Sequence, residues 1–132
     1  RIYCHHDITH FLDVSRISYI ISLEKKLYID KEIIYALGLL HDIGRWIEYE
    51  SGIDHAVASK EIAKEILQRC KFSELEINEI LYAIEGHRKK GNLSILGDIL
   101  YSADKLSRNC IICNARGTCK NYQNGEKPYL LY

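Results

Sequence analysis

The chain has 132 residues, enough for one domain with a real core. Its 18 basic residues balance its 18 acidic ones, so no global basic field points to nucleic acid or a membrane surface. A single proline argues against long disordered linkers, and no apolar run approaches the ~20 residues that a membrane helix needs.

Taken in chain order, the pattern is helical almost throughout. Phe11, Leu12, Val14, Ile17, Ile20, Ile21 and Leu23 form a stripe that predicts a first helix from about Ile8 to Lys26. Asp30 is placed to cap a second helix, which carries the apolar run Ile33 to Leu40 and reaches His41. Gly44 and Gly52 punctuate the mixed stretch that follows. A third helix is expected from about His55 to Cys70, with Val57, Ile62, Ala63, Ile66 and Leu67 on one face and Cys70 used in packing. Ser73 and Glu76 have capping-box spacing and open a fourth helix, which runs through Ile77, Ile80, Leu81 and Ile84 to Gly86. After a basic loop, His87 to Gly91, a fifth helix starts near Ser94 with Leu96, Ile99, Leu100, Ala103 and Leu106. No β-alternating segment competes. The tail from Asn109 onward differs, holding three cysteines, glycines and the only proline.

Polar residues interrupt this pattern where apolar ones would be expected. His41 and Asp42 stand side by side at the end of the buried run, and desolvating them without a partner is costly. A divalent cation is the natural partner, since imidazole nitrogen and carboxylate oxygen are its common ligands. The competing reading is a helix end in solvent. His10 precedes Phe11 by one residue and Val14 by four, so it sits on or beside the apolar face of helix 1. Asp104 follows Leu100 by four residues and Gly97 by seven, on the inward side of its helix. A buried carboxylate needs paired donors or a metal. Residues on three helices can meet at one centre in a bundle.

The order His … His-Asp … Asp resembles the HD-domain metal-dependent phosphohydrolase superfamily. The resemblance rests on His10 in His-Phe-Leu-Asp-Val-Ser-Arg, on Leu-Leu-His-Asp-Ile-Gly-Arg around His41, and on Asp104 in Tyr-Ser-Ala-Asp-Lys-Leu. It implies an all-α bundle of five or more helices, with residues 1–109 as the HD domain and 110–132 as a short irregular cysteine-containing tail packed on it. It implies His10, His41, Asp42 and Asp104 as metal ligands. The expected cofactor is one or two divalent ions of Mn, Fe, Co, Ni or Zn. The implied activity is hydrolysis of a phosphate ester or anhydride in a nucleotide or other small phosphorylated metabolite. Two other readings remain: a di-iron oxygenase on the same ligands, and a non-catalytic metal- or nucleotide-binding module.

Two-metal members of the superfamily carry further histidines, and His55 and His87 match their places, with Asp42 as the implied bridge between ions. Arg88 stands where HD-GYP phosphodiesterases have another histidine, and the Gly-Tyr-Pro signature is missing, which argues against cyclic-dinucleotide hydrolysis. His5 and His6 have no motif behind them and are read as solvated. Catalysis needs a cation for the phosphate oxygens. Arg45, three residues past Asp42, is the first candidate, and Arg88, Lys89 and Lys90 form a second rim that a solvated loop would also explain. Glu85 and Asp54 are the candidate general acids, with no basis for choosing between them.

No signal-peptide pattern opens the chain, so a cytoplasmic protein with five reduced or metal-bound cysteines is expected. Because it starts at Arg1, a few native residues are expected upstream. Cys110 and Cys113 have C-x-x-C spacing, Cys119 follows, and Cys4 lies as far before His10 as Cys110 lies after Asp104. If the two helices run antiparallel, these four could hold a structural zinc. The expected partner is a small phosphorylated substrate, with no membrane or nucleic-acid partner.

Overall fold

The computed structural model describes residues 7–44, 52, 55–86, 94–108, 116–119 and 132, with side chains omitted for residues 55–59 and 116. Among them are five α-helices and no strand: α1 Ile8–Glu24, α2 Lys31–Leu40, α3 His55–Arg69, α4 Glu74–Gly86 and α5 Ile95–Leu106, followed by a 3-10 turn at Arg116–Thr118. None of these helices is long and apolar enough to cross a membrane.

Local chemistry explains where the helices start. The Asp7 carboxylate accepts from the His10 backbone N–H at 3.0 Å and opens α1. At α4 the expected capping box is formed in both directions: Ser73 N–H donates to Glu76 Oε1 at 2.8 Å, and Glu76 N–H donates to Ser73 Oγ at 3.2 Å. Ser94 Oγ accepts from Gly97 N–H at 2.9 Å and opens α5. Asp30 stands at the start of α2 but makes no side-chain capping bond, contrary to its expected role.

Two helices stop on lysine in the left-handed region, where glycine is usual. After α1, Lys26 has φ 56°; its N–H donates to the Leu23 carbonyl, and Leu27 N–H donates to Ser22. After α3, Lys71 has φ 65°, with the same bonds from Lys71 to Gln68 and from Phe72 to Leu67. Both are Schellman motifs. Each throws the next apolar residue, Leu27 or Phe72, back onto the core. Cys70 sits on the rim of the second stop and is exposed, so the packing role expected of it belongs to Phe72.

The core joins Val14, Ile17 and Ile21 of α1, Leu37 of α2, Leu67 of α3, Ile80 and Ile84 of α4, and Ile99 and Leu100 of α5. The stripe expected on α1 is partly misplaced. Ile20 and Leu23 are exposed, and the buried positions between the core residues are Ser15, Ser18 and Ser22. Ser15 lets α2 approach closely. A Cβ added at Gly38 would lie 2.8 Å from the Ser15 Cα and 2.9 Å from its backbone nitrogen, so the two helices meet backbone to backbone there. Ser15 Oγ is held by the Phe11 carbonyl of its own helix at 2.8 Å and reaches the Tyr35 carbonyl of α2 at 3.4 Å. This crossing brings the start of α1 and the end of α2 together.

Candidate metal centre

His10 lies in the first turn of α1, His41 and Asp42 in the turn that ends α2, and Asp104 in the last turn of α5. The close approach of α1 and α2 at Gly38 puts the first three side by side. Ligating atoms of His10, His41 and Asp42 all lie within 4.8 Å of one another. Asp104 joins them from α5: its Oδ1 is 3.0 Å from His10 Nε2 and 3.6 Å from His41 Nε2. His41 Nε2 is also 3.8 Å from Asp42 Oδ2. The His41 and Asp42 side chains are 0 % and 2 % exposed, and those of His10 and Asp104 only 10 % and 17 %, so the group is withdrawn from water.

The backbone orients His41. Its Nδ1–H donates to the Gly38 carbonyl at 2.7 Å, one turn back on α2, which leaves Nε2 toward the carboxylates. Phe11 stacks edge-on against the His41 ring at 5.7 Å and fixes its plane. Gly38 thus serves twice, in the helix crossing and through its carbonyl. Neither Gly38 nor Ser107, which touches His10 from α5, was recognised from sequence. A small residue inside the apolar run, with serines spaced three and four apart on the preceding helix, was the available signal for Gly38. Nothing in the pattern singled out Ser107.

Electrostatics couple the four side chains. Burial opposes the charged form of His41, but the Asp104 and Asp42 carboxylates and the Gly38 carbonyl outweigh it and raise its pKa above the ordinary 6.5. Burial also opposes ionisation of Asp104, but the His10 and His41 imidazoles hold its carboxyl well below the usual range. Two carboxylates and two imidazoles packed this tightly form a donor set that a divalent cation suits: its charge would offset the carboxylates, and both ring nitrogens and carboxylate oxygens are ligands it accepts.

The other expected site residues divide. Glu85 is half exposed, and its carboxylate accepts from Lys60 Nζ at 2.7 Å in an ion pair between α3 and α4. Cys119 is a half-buried free thiol. His55 opens α3, but its side chain lies outside the described residues. Arg45, Asp54, His87, Arg88, Lys89, Lys90, Cys4, Cys110 and Cys113 lie outside them altogether.

Residues 7–109 match the model of the HD domain family. An uncharacterized protein of Clostridium beijerinckii is 44 % identical over 132 residues, covering 100 % of this chain and 83 % of that protein. Ribonuclease Y of Desulfotalea psychrophila is 35 % identical over 101 residues, and that of Mycoplasma mycoides subsp. mycoides SC 36 %. Each of these matches covers 76 % of this chain but only 18 % of the ribonuclease. Among solved structures, a predicted HD superfamily hydrolase from an uncultured Thermotogales bacterium is similar, with a TM-score of 0.68 and 35 % identity. That match covers 76 % of this chain and 56 % of the other.

Proposed function

The chain belongs to the HD domain family, and from that premise we propose that it is a metal-dependent hydrolase of phosphate esters or anhydrides whose substrate is a nucleotide or other small phosphorylated compound. The observation that carries the reading is the convergence of His10, His41, Asp42 and Asp104 from three helices onto one buried point. Its hydrolase class agrees with the similar Thermotogales protein, which is described as a predicted HD superfamily hydrolase.

In this reading His10 Nε2, His41 Nε2 and the Asp42 and Asp104 carboxylates would hold the cation. When bound, a divalent cation supplies Lewis-acid chemistry, activating water and offsetting charge on the phosphoryl group. The chain's own residues do the rest. Gly38 and Phe11 hold His41 at a fixed angle, so the donor set needs little reorganisation when charge develops. Arg45, one turn past Asp42 in sequence, is the proposed clamp for the remaining phosphate oxygens, because a guanidinium matches them in fork geometry.

A second reading, hydrolysis of RNA phosphodiesters, is favoured by the likeness to two ribonuclease Y proteins. The balanced charge of the chain argues against it, because an RNA track is usually basic. A panel of nucleotides, sugar phosphates and single-stranded RNA, each with Mn²⁺ added to the metal-stripped protein, separates the two. The first reading expects turnover of small phosphate compounds and intact RNA. Cleaved RNA with untouched small compounds would reverse that order.

A further inference from the structure

We propose that Ser107 is a positioning residue for the metal centre, holding the His10 ring proton on Nδ1 so that Nε2 is open to a cation; this rests on the metal-centre reading above. Ser107 follows Asp104 by three residues and closes α5 as its C-cap. It is buried. Its hydroxyl donates to the Asp104 carbonyl at 2.9 Å. A hydroxyl has one proton, so the Ser107 oxygen offers its other contacts only as an acceptor. His10 Nδ1 lies 3.5 Å from that oxygen.

Those facts constrain the imidazole. Nε2 of His10 is 3.0 Å from Asp104 Oδ1. Without a cation, the Nε2 position can carry a proton and donate it to that carboxylate. For Nε2 to ligate a cation it would have to be unprotonated, and the one proton of a neutral ring would then sit on Nδ1. Ser107 is the acceptor that meets it there. The same side chain anchors the Asp104 backbone through the carbonyl. One serine therefore ties together the two ligands contributed by α1 and α5, as the Gly38 carbonyl does for His41 on α2. Outer partners of metal-bound histidines typically change metal affinity by about 10–100-fold when removed.

The experiment is Zn²⁺ titration of the metal-stripped wild type, Ser107→Ala, Ser107→Thr and His10→Ala, with nitrogen-15 spectra of histidine-labelled, Zn²⁺-loaded protein. Threonine keeps the hydroxyl and can make the same bond to the carbonyl three residues back. The proposal expects Ser107→Ala to bind Zn²⁺ about 10–100-fold more weakly and Ser107→Thr to bind nearly as wild type. It also expects a protected His10 Nδ1–H signal in the wild type that is lost in Ser107→Ala. If the alanine variant does not fold, Ser107→Val, which has the shape of the threonine variant without its hydroxyl, is held to the same result. Wild-type affinity in Ser107→Ala, alongside lost binding in His10→Ala, would overturn the role of Ser107 alone. Unchanged binding in His10→Ala would overturn the metal centre, and this role with it.

Discussion

His41 is constrained on every side that the described residues show. Its ring is fully buried, its Nδ1 is bound to its own helix, and its Nε2 faces two carboxylates. Burial lowers its pKa, but Asp104, Asp42 and the Gly38 carbonyl raise it further, so the folded value lies above the unfolded 6.5. In the metal-free protein this charge therefore adds stability that is fully present below pH 6.5 and is lost as the pH rises through the raised folded value. Asp104 has the opposite sign: burial is outweighed by the two imidazoles, and its contribution is present above the unfolded value of 3.8 and lost as the pH falls toward the depressed folded one. Thermal unfolding of the metal-stripped protein should thus show a fall in Tm on the alkaline side of 6.5 that is absent from His41→Gln. An alkaline fall of equal size in both proteins would remove His41 as its source. His10 and Asp104 were legible in the sequence because they break an apolar stripe. The tautomer-setting contacts of Gly38 and Ser107 were not, because a backbone carbonyl and a lone serine leave no trace in hydropathy.

The helices place these side chains through two devices. One is the crossing of α1 and α2 at Ser15 and Gly38, where an added Cβ would meet the Ser15 backbone as well as its hydroxyl. Backbone atoms cannot rotate away, so Gly38→Ala should force the helices apart and destabilise the protein by about 1–3 kcal/mol. Because His10 and His41 straddle this crossing, metal affinity should fall as well; denaturant unfolding and Zn²⁺ titration of the same variant check both. An alanine variant as stable as the wild type would mean that the crossing yields without cost. The other device is the pair of lysine stops. Lys26 and Lys71 hold left-handed backbone that costs a residue with a Cβ roughly 1–2 kcal/mol. Lys26→Gly and Lys71→Gly should each stabilise the protein by up to about that amount, read as a shift of the denaturant midpoint. Destabilisation by either would show that the lysine side chain matters more than its backbone. The helix starts at Ser73 and Ser94 were legible because a capping side chain is a local signal. The lysine stops were not, since packing of Leu27 and Phe72 on the core decides them. The expected burial of Ile20 and Leu23 failed for a related reason: α1 buries a face with Ser15, Ser18 and Ser22, which periodicity alone ranks low.

At the scale of the whole molecule, the bundle gathers the ends of α1, α2 and α5 at one place and puts two histidines and two carboxylates there. No single helix contains the cluster, so it forms only where the bundle packs these three helix ends together. The all-α class and the His … His-Asp … Asp order were legible because both are carried by residue type and spacing. The separation of the helices and the angles of the rings come from tertiary packing and were not. The central claim is that this cluster makes the protein a metal-dependent phosphohydrolase. Its most direct test is turnover of an unselective phosphodiester, bis-p-nitrophenyl phosphate, by metal-stripped protein with Mn²⁺ added back, beside His41→Ala and Asp42→Ala. The account predicts Mn²⁺-dependent release of nitrophenolate by the wild type and none above background from either variant, all three remaining helical by circular dichroism. Equal turnover by wild type and variants, or a wild type inactive at every metal concentration tried, would contradict it.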